Sequence, residues 1–205
     1  MTRVESIPAG RAGFSMIEVL VALMIVVLGL LGLAGLQVRM QQAEFESYQR
    51  AQALVLLQDM VDRINIHRTT KTCFAITTNA DGTPYMGMGS TVVPACSAST
   101  TPDNTEANTA LTEWHSLLLG AGETSGGASV GAMVGARGCI SYAAGTEVPE
   151  ASGAPIAGTG IYTIAVSWQG NLDTFTPTVS CGNNLYGADT RRRTVSTTLR
   201  IAHLH

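Results

Sequence analysis

Charge and aromatic rings are both scarce in this chain. Charged residues make up 13% and aromatic residues 5% of its 205 positions. So few rings exclude a large aromatic core. With abundant Gly, Ala, Ser and Thr they fit a small β-rich domain with long loops. Basic residues number 12 against 15 acidic ones, and the formal net charge is −3. A nucleic-acid-binding surface normally needs a basic excess, so none is expected. The only basic run, Arg191-Arg192-Arg193, reads as a solvated strand entrance or a partner contact rather than a phosphate site.

The signatures of catalysis and metal binding are missing too. There is no G-x-x-x-x-G-K, no H-E-x-x-H and no C-x-x-C. One stretch, Gly127-Ala128-Ser129-Val130-Gly131, fits G-x-S-x-G. A nucleophile elbow needs a strand before it and a helix after it, and this stretch lies in a Gly-rich segment with neither. His67, His115, His203 and His205 are scattered. His203 and His205 could chelate a metal in principle, but two ligands at a frayed terminus do not make a site. No enzyme activity, cofactor or metal is expected.

What the chain has in excess is concentrated in one place. Phe14 to Leu36 reads FSMIEVLVALMIVVLGLLGLAGL, 23 residues, apolar except for Ser15 and Glu18. As a helix it would be roughly 34 Å long, enough to cross a hydrocarbon core. Arg3 and Arg11 precede it, and no basic residue follows until Arg39. That asymmetry favours a cytoplasmic N-terminus. The run is too long for a secretory h-region and no A-x-A-like site ends it. A plain anchor explains its length but not Glu18. A carboxylate in a spanning helix costs about 2.5–3.5 kcal/mol at the centre and less near the interface, so Glu18 calls for a partner.

Gly13-Phe14-Ser15-Met16-Ile17-Glu18-Val19-Leu20 closely resembles the class III signal of type IV pilins and pseudopilins. The resemblance implies that a prepilin peptidase cuts between Gly13 and Phe14 on the cytoplasmic side. It implies that Phe14 is then N-methylated. Glu18 becomes the fifth mature residue, the family's assembly carboxylate, which neutralises the terminal amine of a neighbouring helix and sets subunit stagger. The expected fold class is α+β and pilin-like: a long N-terminal helix on a small antiparallel sheet. The expected layout is a leader over 1–13, a membrane and filament-core helix over 14–36, an amphipathic continuation over 37–64 and a head over 65–205.

The residues beyond the span agree with that layout. Gln37 to Ile64 contains no Pro and no Gly. Leu54, Leu57, Val61 and Ile64 share one helical face, with Asp59, Asp62 and Arg63 off it. Gly29, Gly32 and Gly35 either allow close helix approach or weaken the helix locally. A loop is expected over 65–102 and a second helix over Thr105–Leu119, with Trp114 as a core anchor and His115 at the boundary. Gly120–Gly138 reads as a mobile loop. Strands are expected at Arg137–Tyr142, Ile161–Trp168 and Val195–Ile201, their alternation marking half-buried antiparallel pairing.

The four cysteines, Cys73, Cys96, Cys139 and Cys181, all follow the apolar run. An even number in that position reads as two disulfides in an oxidising compartment. Three pairings are possible. Cys73–Cys96 with Cys139–Cys181 is favoured because each closes a moderate loop.

Major pilins are usually shorter, with a single C-terminal disulfide loop. The run from Ile17 to Leu23 and from Gly29 to Gln37 is similar to the type IV pilus modification proteins, the PilV-type minor pilins. So, at pattern level, are a Trp-bearing second helix, Arg137-Gly138-Cys139 and Val166-Ser167-Trp168. The resemblance implies a subunit that joins other minor pilins and the major pilin through its helix. It would prime the pilus at the tip, beside an adhesin, and support motility, attachment or DNA uptake. It would sit in the inner membrane with a periplasmic head and then in the extracellular pilus. The alternatives are a minor pseudopilin of type II secretion and, further off, a membrane-anchored adhesin or enzyme.

Overall fold

The computed structural model describes residues 13–90, 92–131 and 133–202. Residues 1–12 of the expected leader, and His203 and His205, lie outside the described residues. The chain divides into two compact units, Met1–Glu44 and Phe45–His205. One helix, α1 (Met16–Ile66), runs through the boundary. In the first unit every side chain from Gly13 to Glu44 is exposed.

In the second unit α1 becomes one-sided. Its buried residues are Gln49, Ala53, Leu57, Met60 and Ile64, at helical spacing. Of the expected stripe, Leu57 and Ile64 are buried and Val61 packs half-buried against the core, but Leu54 is 49% exposed and Ala53 is fully buried, a small rotation at its N-terminal end. A side-chain anchor helps to set the rotation. Trp114 Nε1–H donates to Leu56 O at 2.9 Å, and Arg63 reaches Ala110 O and Glu113 on the same neighbouring helix.

That neighbour is α2 (Thr101–Leu118), which starts four residues earlier than expected. Thr100 caps it by accepting from the Asp103 N–H, and Pro102 sits in its first turn. The stretch expected as loop holds a 3-10 turn at Arg68–Phe74 and a short strand, β1 (Met86–Gly87). The Gly-rich stretch after α2 is not featureless either. It folds a small hairpin, β2 (Thr124–Ser125) with β3 (Ala128–Ser129). Gly126 and Gly127 turn it, both with positive φ.

The main sheet contains β1, β4 (Arg137–Ala143), β5 (Ile161–Gln169) and β6 (Arg192–Arg200), antiparallel and in the order β1-β4-β5-β6. On one face Ile140, Tyr162, Ile164, Val166 and Trp168 join Leu111, Trp114 and Leu118 of α2 and Leu57, Met60 and Ile64 of α1 in one core. Gly138 makes this packing possible. A Cβ there would lie 2.1 Å from Trp114 Cη2. The opposite face departs from the half-buried expectation. Cys139, Ala165, Ser167 and Cys181 are buried there as well, because a disulfide-tethered loop folds over the centre of the sheet.

Candidate functional site: the N-terminal helix

The site is built by α1 before it reaches the head. Gly13, Phe14 and Ser15 precede the helix, and Ser15 O accepts from the N–H groups of Glu18 and Val19. Glu18 thus lies in the first turn, where the helix dipole favours a carboxylate. Phe14 is 84% and Met16 92% exposed. An 18-residue window of α1 has a mean hydropathy of 2.9 and none of it is buried within the chain. Burying an apolar side chain is worth about 1.5–3 kcal/mol, so a surface of this size cannot stay in water. Lipid or other helices must cover it. Glu18 has no ion-pair partner among the described residues. Among the described residues no neighbouring atom requires glycine at Gly29, Gly32 or Gly35.

The cysteines staple the head. Cys73 in the 3-10 turn is bonded to Cys96 ahead of α2, closing a separation of 23 residues. Cys139 in β4 is bonded to Cys181, 42 residues on, in the loop before β6. That second loop has a further clasp which the sequence reading missed. Arg192, expected to be solvated, is 2% exposed. It pairs with both Asp189 carboxylate oxygens and donates to the carbonyls of Pro177, Val179 and Cys181. Its hydrogen bonds hold the Asp189 carboxyl below the usual aspartate range. The only hint in the sequence was an aspartate three residues before an arginine at a strand entrance. Of the other two arginines, Arg193 is tied to Glu46 and Leu172 O, and Arg191 to Asp173.

The remaining sequence candidates are not brought together. Ser129 is exposed in β3, within the small hairpin, with no helix following it. His115 Nδ1 accepts from the Gly87 N–H at 3.0 Å, so it fixes β1 against α2. His67 Nδ1 lies 2.8 Å from Arg63 O, at the end of α1. Among the described residues no group of three or more His, Cys, Asp or Glu could hold a metal.

The family model described as the prokaryotic N-terminal methylation motif matches residues 8–34. The chain is type IV pilin-like. The motif covers the junction at Gly13–Phe14, Glu18 and most of the apolar run, which are the parts that the geometry leaves uncovered. Searches of curated proteins and of solved structures find no match to the chain. In this pilin-like protein the motif and the apolar helix together make a membrane anchor, and the remainder is a disulfide-stapled α+β head.

Proposed function

We propose that the protein is a minor pilin that helps to initiate type IV pilus assembly and sits at or near the filament tip. A prepilin peptidase cleaves between Gly13 and Phe14, and Phe14 is N-methylated. The carboxylate of Glu18 then neutralises the terminal amine of a neighbouring subunit. One observation carries this reading: a single carboxylate, four residues beyond Phe14, in the Met16–Leu36 stretch of α1, which is otherwise apolar and exposed throughout. The length of the chain, its two disulfides and its looped head favour a minor over a major pilin. Other minor pilins, the major pilin and a tip adhesin are its partners. The protein binds and positions; it catalyses nothing, and its head is periplasmic until it becomes extracellular with the filament.

Deleting the gene tests the role. Surface pili and twitching should fall while protein secretion continues. Lost secretion with normal pili would make it a type II pseudopilin instead. Glu18→Ala should still be cut after Gly13 but enter filaments about a hundredfold less or worse, the cost of an uncompensated amine in an apolar core. Normal incorporation of that variant would contradict the pairing.

A further inference from the structure

We propose that the open edge of β6 receives an extended strand from another subunit, one that carries a carboxylate opposite Arg200. The direction of the β6 backbone follows from its neighbours. Thr77 N–H donates to Ile140 O, and Ile140 N–H donates to Thr77 Oγ1. The even residues of β4 therefore turn away from β5, and Cys139 and Ser141 bond to it. Along β5 the even residues then bond to β6, through pairs such as Ile164 with Thr197 and Val166 with Val195. Gly170 N–H continues the pattern to Arg191 O. What remains pointing outward is the backbone of Thr194, Ser196, Thr198 and Arg200. Among the described residues nothing bonds to those outward N–H and C=O groups.

The fold itself uses this edge just upstream. Thr174 N–H donates to Thr190 O at 2.8 Å, so the loop before β6 adds one rung and then leaves. Beyond it the strand lacks the usual protection. Thr194 to Leu199 contains no charge, proline or glycine, whereas unpaired edges are normally blunted by lysine, proline or a bulge. β6 is nine residues long, enough for strand addition.

The side chains define the partner. Thr194, Ser196 and Thr198 give one face of the edge small hydroxyls, while Val195, Thr197 and Leu199 give the other a half-buried, more apolar lining. Arg200 is exposed, donates to Thr146 O and has no carboxylate partner among the described residues. A second copy of this chain fits less well. Antiparallel self-pairing centred on Ser196 would use the whole edge, but it sets Arg200 of each copy opposite Arg192 of the other. Arg192 is buried and already paired with Asp189, so self-pairing leaves Arg200 without a carboxylate.

The inference rests on the pilin reading for where the partner is found, and on β6 alone for how it binds. The test uses the full chain in piliated cells. Ser196→Pro removes an outward N–H and leaves the bonds to β5 intact; Ser196→Ala keeps the N–H. Proline should lower recovery in sheared filaments about tenfold, the cost of one or two backbone bonds, and alanine should not. A benzophenone amino acid placed at Ser196, and separately at Thr198, should cross-link to one other protein. The two attachment points should lie about two residues apart in a single segment of it. Normal recovery of the proline variant would overturn the proposal. So would cross-links to a second copy, to lipid or to nothing. If Ser196→Pro fails to fold, the cross-link spacing alone decides. The N-terminal mass of the same preparation shows separately whether the pilin reading holds.

Discussion

The two stretches of α1 on either side of Glu44 obey different rules. From Met16 to Glu44 every side chain is exposed and most are apolar. From Phe45 to Ile66 only one face is buried, and it packs in the core of the head. A helix that is apolar all round declares that its solvent lies outside the chain. A one-sided helix declares that its partner is within it. Function therefore resides mainly in the first stretch and stability in the second, and substitutions should separate the two.

The largest effect is expected at the junction. Gly13→Leu should abolish processing, leaving nearly all of the chain in the membrane at its uncut mass, while denaturation of the head stays at its wild-type midpoint. Trp114→Ala should do the reverse. Loss of a buried indole that also bonds to Leu56 O should cost about 3–5 kcal/mol in denaturant unfolding of the detergent-solubilised protein, with cleavage unchanged.

Acid should act on the head through the Asp189–Arg192 clasp. The folded carboxyl titrates below its unfolded value. Its contribution is thus present above about pH 4 and is lost as pH falls further. The melting temperature should drop through that range, and Asp189→Asn should flatten the drop. The smallest effect is expected at Leu54, which is half exposed. Leu54→Ala should change stability by about 0.5 kcal/mol or less. A cost of several kcal/mol there would mean that the buried stripe follows the simple periodicity after all.

That contrast also explains what the sequence could reveal. The apolar run and strict strand alternation are local signals, so α1, β4, β5 and β6 were legible. The pairing Cys73–Cys96 and Cys139–Cys181 followed from loop length and is the pairing present. The junction residues and Glu18 lie within the matched methylation motif. The early start of α2 was written in Thr100 and Pro102 but was overridden by the later apolar spacing. β1 was not legible, because two residues carry no period and their ladder is supplied by Arg137 and Gly138. The rotation of the α1 stripe onto Ala53 and Met60 depends on an indole from another helix. The burial of Arg192 depends on carbonyls 11 to 15 residues away. Neither has a local signature.

Mass spectrometry of the N-terminal peptide from sheared surface filaments tests the central claim most directly. The peptide should begin at Phe14 and carry one added methyl group. A chain missing from the filaments, or present there with residues before Phe14 still attached, would contradict it.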